Sequence, residues 1–302
     1  MNTGNQISRF NRFNVYDNTG NLAGSTTIEI DPHAGWSGRI ADLVPSLNDV
    51  DGYVVMDTST NPFVPGSASL VGIATYSKGA DDAVVMALDD SALVRTGYAV
   101  QVVSGGGYTS RLKLVNLDSV QQQVQLTLNG ASVQRTIPGH GRLDEPLDQT
   151  FNLDSSSTSS GYLSLQLLTK STAGVGGFVE IAGSQGLLLT AEPITEEADM
   201  TMVFSQVAIA DGFWTGLALL STAQASATIE LNSTEGTAVS SAVVTLEPGR
   251  PVVKLLTELF PDVRAQLGGS IRIVATVPVY GLLLFGGAAP GNFLSGIPFG
   301  LN

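Results

Sequence analysis

The sequence predicts an all-β fold: three tandem immunoglobulin-like β-sandwich domains, the first lacking its leading strand. Three observations predict it. Short apolar runs with period-two alternation recur along the whole chain, separated by Gly, Pro, Asn, Asp and Ser. The same six blocks occur three times in the same order. A glycine marks the period, at Gly72, Gly177 and Gly281, with intervals of 105 and 104 residues. A unit of about 100 residues with turn signals every 8–12 residues is the signature of a sandwich.

The blocks read as follows. The first is a strand: QISRFNRFNVYD (6–17), YTSRLKLVNLD (108–118) and FWTGLALLST (213–222). The second is a strand ending in a Pro/Gly corner: TTIEIDPHAG (26–35), VQRTIPGHG (133–141) and AVVTLEPGR (242–250). Proline has no N–H to give a ladder, and glycine accepts dihedrals other residues avoid, so both suit a strand end. The third is one helical turn: RIADLVP (39–45), EPLDQTF (145–151) and LLTELFP (255–261). A strand opened by glycine follows, as GYVVMDTS, GYLSLQLLT and GSIRIVAT, at 52, 161 and 269. Then come VGIATYS, GGFVEIAG and YGLLLFGG, at 71, 176 and 280. The closing strand is AVVMAL (83–88), LLLTAEPI (187–194) or NFLSGIPF (292–299). The unbroken apolar run Leu282-Leu283-Leu284-Phe285 suits a strand covered on both faces, the second cover being a neighbouring copy. Domains are expected at 1–94, 95–197 and 198–302.

Copies two and three carry a further strand before the first block, GYAVQVVS (97–104) and MVFSQVAIA (202–210), with no counterpart before Gln6. Either the strand belongs to a longer array from which this chain is cut, or another subunit supplies it. An unpaired edge templates strand addition, and a head-to-tail contact that does not close builds filaments. The candidate assembly edge is Gln6, Ile7, Phe10 and Phe13. The candidate donor is the apolar tail with Phe293, Leu294, Ile297 and Phe299.

FSQVA, DG, W and TGLALLS, followed by the LEPG corner, GGSIRIVA, GLLLFGG and LSGIP, resemble a repeat of uncharacterised secreted or surface proteins of environmental bacteria. The resemblance covers copies two and three well and copy one in part. Copy two departs from it at LLLTAEPI. It implies architecture and an extracellular or cell-surface location, and attaches no enzymatic role to the repeat.

Composition narrows the chemistry. Charged residues are 14%, hydrophobic residues 43%, and the net charge is −13. A phosphate backbone calls for a basic stripe that this chain lacks, so nucleic acid is not an expected partner. No cysteine is present, which excludes disulfides, thiolate metal sites and cysteine nucleophiles. The first residues are polar and carry no apolar core of a signal, so an exported protein would be represented here by its mature segment. No apolar run is long enough for a membrane-spanning helix.

Individual residues add little. His33 and His140 share one corner and read as polar residues of an exposed turn. Gly174-Val175-Gly176 lacks the third glycine of a dinucleotide fingerprint, Val179 standing there. Asn48 to Gly52 resembles part of a calcium loop without its bidentate Glu. Asp81-Asp82 and Asp89-Asp90 read as solvated charge, and Trp36 and Trp214 as core or interface aromatics that could alternatively stack on sugars. No catalytic, cofactor or metal residue is assigned. The expected function is a non-catalytic extracellular structural or assembly protein, a filament or surface-layer subunit joined by strand addition. The alternative is an adhesin or carbohydrate-binding module. The expected partners are further copies of the chain, or surface glycans.

Overall fold

In the computed structural model the described residues are 1–2, 8–47, 50–57, 73–78, 81–88, 92–154, 157–170, 173–183, 189–210, 212–287 and 293–298. Twenty strands and three single helical turns account for most of them. The chain is all-β and built of antiparallel sandwiches.

Three strands precede the second unit's elements, or five counting a separate hairpin: β1 (Ser8–Asp17), β2 (Leu22–Ile30), β3 (Gly52–Asp57), β4 (Ile73–Lys78) and β5 (Asp81–Met86), with the turn α1 (Ile40–Leu43) between β2 and β3. The second unit holds β6 (Thr96–Ser104), β7 (Tyr108–Asn116), β8 (Gln122–Leu128), β9 (Ala131–Ile137), β10 (Arg142–Pro146), α2 (Leu147–Thr150), β11 (Ser159–Leu167), β12 (Val175–Gly183) and β13 (Leu189–Pro193). Its sheets run β6-β11-β8-β9 and β10-β7-β12-β13. Alternation delivers the core: Leu112, Leu114, Val124, Leu126, Leu163, Leu165, Val179 and Ile181 point inward from the two sheets and are buried together. Burying one such side chain contributes about 1.5–3 kcal/mol.

The third unit repeats this plan with β14 (Asp199–Phe204), β15 (Phe213–Leu220), β16 (Ala225–Asn232), β17 (Ala238–Leu246), β18 (Val252–Leu255), α3 (Leu256–Leu259), β19 (Ser270–Gly287) and β20 (Phe293–Pro298). Here one 18-residue strand does the work of two. The first half of β19 pairs β14 and β16, as β11 pairs β6 and β8. Its second half pairs β15 and β20, as β12 pairs β7 and β13. Pro278, which has no N–H to give a ladder, sits where β19 leaves one set of partners for the other.

Small details repeat as well. Ser110 Oγ donates to Val103 O (2.8 Å) and accepts from Val103 N (3.0 Å). Thr215 Oγ1 makes the same pair with Ala208, at 3.0 and 2.9 Å. These hydroxyls, both buried, tie the arriving strand to the departing one across the sandwich edge. The corner after the second block is left-handed in all three units, at His33 (φ 57°), His140 (φ 51°) and Gly249 (φ 66°). Each corner closes on a backbone bond: Ala34 N to Asp31 O, Gly141 N to Pro138 O and Arg250 N to Glu247 O. An apolar residue, Ile30, Ile137 or Leu246, is buried three positions earlier.

The first unit departs from the block alignment. β1 pairs β2 on one side and β3 on the other. That is the position of β8 and β16, whose hairpin partners are β9 and β17. Residues 8–17 therefore match 122–128 and 225–232, and not 108–118. Among the described residues no strand stands in the place of β6 and β14, the expected shortfall, and none in the place of β7 and β15 either.

The units meet at two joints. Between the first and second, Arg142 donates to Gly52 O (2.5 Å), Tyr53 Oη donates to His140 O (2.8 Å), and Tyr16 stacks on both Tyr53 and His140. Between the second and third, Val100, Ala218, Leu220, Tyr280 and Leu282 form a buried apolar cluster. Leu283 meanwhile faces the third unit's own core. The run 282–285 is thus covered from both sides, as its composition predicts.

Candidate functional site

The feature that sets the first unit apart is an open core. Val54 pairs Val15 in β3 and β1, just as Leu163 pairs Leu128 and Ile271 pairs Leu231. The three side chains therefore hold equivalent inward positions. Leu163 is 1% exposed and Ile271 0%, but Val54 is 39% exposed. Ala74 of β4, which the block alignment sets level with Val179 and Leu283, is exposed, in a hairpin whose strands pair with each other. Val54 lies on the flank where β6 lies in the second unit.

The rest of the sheet is well formed. Phe13 and Val15 of β1 and Ile30 of β2 are buried, and Phe13 packs on Trp36 at 6.2 Å between ring centroids. The β1–β2 turn is held by Asp17, which accepts from Thr19 Oγ1 (2.7 Å) and Asn21 N (2.9 Å). The Thr19 and Asn21 hydrogen bonds pull the Asp17 carboxyl down to about 2. The joint with the second unit, which includes the start of β3, is polar. Asp51 pairs with Arg142 at 2.6 Å and accepts from Asn18 Nδ2 at 2.8 Å. Burial alone would raise Asp51, yet the Asn18 amide and the Arg142 guanidinium hold it below the usual carboxylate range. Burial, with Tyr16 alongside, pushes the Tyr53 hydroxyl up, which keeps it a donor to His140 O.

The structure relocates the residues chosen from sequence. Phe10 and Phe13 lie in β1, the central strand of the order β2-β1-β3, so β1 is not an assembly edge: its neighbours occupy both sides. Gln6 and Ile7 lie outside the described residues. The tail is not a free donor. Phe293, Leu294 and Ile297 lie in β20 and pair Gly287, Gly286 and Leu283 of the same unit. Leu294 is buried against the second unit's core, and Gly296 N donates to Thr190 Oγ1 of β13 (2.5 Å). Phe299 lies outside the described residues. Pairing order misled both choices, because alternation marks a strand without saying which neighbours it takes.

The residue that sequence reasoning missed is Val54. The strand blocks already align it with Leu163 and Ile271, but its exposure depends on which strands flank β3. Trp214 packs against the core of the second unit, while Trp36 stays 37% exposed. His140 is half-buried in the first joint and is not a simple exposed turn residue; His33 is exposed.

One titratable group is fully enclosed. Glu192 of β13 accepts backbone N–H bonds from Val100 and from Gln101 (3.0 Å) of β6. Desolvation outweighs those two bonds and raises the carboxyl to about 8. It bridges the two sheets of the second unit. Among the described residues no cluster of three His, Asp or Glu could hold a metal, and no helix is long and apolar enough to cross a membrane.

No family model matches the chain, and no curated protein matches it. Among solved structures it is similar to Bacteroides uniformis β-glucuronidase 2, at 10% identity over 68% of this chain and 26% of that one, with a TM-score of 0.18. It is also similar to a glycosyl hydrolase family 2 member from Bacteroides cellulosilyticus, at 12% identity over 97% of this chain and 35% of that one, with a TM-score of 0.19. The chain spans between about a quarter and a third of those proteins. Superpositions this loose carry no argument about what the chain does.

Proposed function

We propose that the chain is a non-catalytic structural protein of the extracellular surface, assembled through strand addition at the open flank of its first unit. One observation carries the reading: Val54 is 39% exposed at a position that is sealed in both sister units. A solvated apolar core residue beside a sheet edge that no described strand fills is a standing free-energy cost, and a pairing strand removes it by burying the side chain and satisfying the ladder. The acidic surface, net −13, disfavours indiscriminate clustering and leaves specific contacts to select the partner.

Sedimentation velocity over a concentration series, with electron microscopy of the most concentrated sample, tests this reading. Assemblies that grow with concentration, and that are lost in Val54→Asp, are the expected result. A sharp monomer at every concentration, with dispersed single particles, would end it.

A second reading, an adhesin that contacts surface glycans, rests on Trp36, whose ring stays 37% exposed beside Phe13. Tryptophan fluorescence that polysaccharides leave unchanged would remove it.

A further inference from the structure

We propose that the third unit carries a second interface, in which its edge strand β17 pairs antiparallel with β17 of a second copy of the chain, about a two-fold axis at Val243. The inference goes beyond the open-flank reading and does not depend on it.

In all three units one sheet ends on the second strand of a hairpin: β2, β9 and β17. Among the described residues each of these strands has one sheet neighbour. A sheet edge offers unpaired N–H and C=O groups to any approaching strand, and proteins guard it with charged side chains, proline or inward-pointing ionic groups. Two of the three edges are guarded. β2 carries the exposed Glu29. β9 carries Arg135 on the same side as the buried Ile137, tied to Glu145 of the opposite sheet at 2.6 Å. In the third unit both members of that pair are replaced. Val244 stands two positions before the buried Leu246, as Arg135 stands before Ile137. Lys254 pairs Leu217, where Glu145 pairs Leu112. The edge that results, β17, reads AVSSAVVTL, with no charge, no proline and no glycine along its nine residues. It also shows apolar surface to water: Val239 is 46% exposed and Val243 68%, the most of any large apolar residue described.

A second copy is the occupant because the strand is complementary to itself. With Val243 on the axis, Val243 meets Val243 and Ser241 meets Thr245, so no like charges face each other along the ladder. Val243 pairs Thr228, Thr228 pairs Val274, and Val274 pairs Thr201. That row of β-branched side chains would continue through the axis into its symmetry mate, and such residues are favourable cross-strand partners. The ends of the strip match as well. Glu235 lies eight positions before Val243 and Arg250 seven after it, so the turn of one copy comes beside the corner of the other. Both side chains are exposed and they are opposite in sign. Two chains of net charge −13 thereby approach along a neutral strand flanked by attracting ends. Nine paired residues span about 30 Å. That is a small interface, so the dimer is weak and reversible. It is also closed: a two-fold pair stops at two, whereas head-to-tail addition continues.

Sedimentation velocity of the full-length chain carrying Val54→Asp, over a concentration series, isolates this contact from the open flank. The expected result is a monomer–dimer equilibrium that stops at the dimer. Val243→Lys in the same background sets two cations opposite each other and should weaken the dimer by about tenfold or more. Its circular dichroism should be unaltered, because the side chain it replaces already faces water. Single cysteines in the otherwise unaltered chain, which has none of its own, read the register. With oxidised glutathione, Val243→Cys should form a disulfide between copies, two thiols being oxidised as the oxidant is reduced to two molecules of glutathione. Ser241→Cys would face Thr245 and should stay unlinked. A Val54→Asp chain that is monomeric at every concentration, or a Val243→Lys dimer as tight as its parent, would overturn the interface. A disulfide from position 241 and none from 243 would overturn the axis. A wild-type chain that dimerises and never grows further would uphold this interface and end the open-flank reading, so the two fail separately.

Discussion

The two joints of the molecule occupy related places and use opposite chemistry. Strands β12 and β19 present the same outward position at Phe178 and Leu282, paired with Lys113 and Ala218. The neighbouring pair is Glu180 with Arg111 in the second unit, and Leu284 with Gly216 in the third. The second unit thus shows a charged outer face, where Lys113 and Glu180 pair at 2.7 Å, and the third an apolar one that the second unit covers. The first joint is correspondingly a set of directed polar contacts around Arg142, Tyr53 and His140. The second is a sealed apolar cluster. One fold has accommodated both, because inward positions determine the sandwich while outward positions are free to determine the neighbour. Directed polar contacts fix geometry at small net gain, whereas apolar burial supplies most of the adhesion.

The sharpest way to break the comparison is at Leu282, which is 2% exposed in the apolar joint. Leu282→Ala should cost about 2–5 kcal/mol, through lost transfer energy and a cavity, in urea unfolding of the full chain. A loss as small as that of a surface mutant would mean the second joint is not sealed.

Proton linkage probes the same region. Glu192 accepts from Val100, a member of the apolar cluster. Folded, it keeps its proton up to about 8, whereas the unfolded chain gives it up near its ordinary value of 4.5. The stability tied to it is fully present below pH 4.5 and is lost as pH rises towards 8, by up to about tenfold in the folding constant per pH unit. Glu192→Gln should flatten that slope, and a wild-type chain equally stable at pH 5 and pH 8 would contradict the assignment.

The polar joint should respond less. Arg142→Ala strands Gly52 O and leaves Asp51 without its cation, and should cost about 1–3 kcal/mol. The loss should be smaller in the presence of about 1 M salt, where the Debye length falls to about 3 Å. Tyr53→Phe removes one hydrogen bond to His140 O and should cost about 1 kcal/mol, the smallest of the four. If Tyr53→Phe matched Leu282→Ala in denaturant, the ranking of the joints would be reversed.

Much of this was legible in the residues. The threefold recurrence, the Pro/Gly corners and the two-sided burial of Leu282 to Phe285 follow from alternation and turn chemistry, which are local. His33, His140 and Gly249 share a left-handed corner, each three positions after a buried apolar anchor. The identity of β1 was not legible. A run such as Phe10 to Val15 alternates like any other strand, and only its pairing with Leu22–Ile30 and Gly52–Asp57 shows which strand it is. The fate of Leu294 was hidden for the same reason, since its burial depends on a sheet contributed by residues about a hundred positions away. The exposure of Val54 is a difference between aligned copies, and it depends on strand pairing that the letters of one copy do not carry.

The unbroken course of β19 has a mechanical consequence. In the second unit, β11 and β12 are separate strands joined by residues 168–174, so either sheet can loosen while the other holds. In the third unit a single strand threads both sheets, changing partners near Pro278, and a pull on one end is delivered to the other through one backbone. That unit would behave under tension as a strut, surrendering all its ladders together, while its neighbour yields in stages and absorbs the stretch.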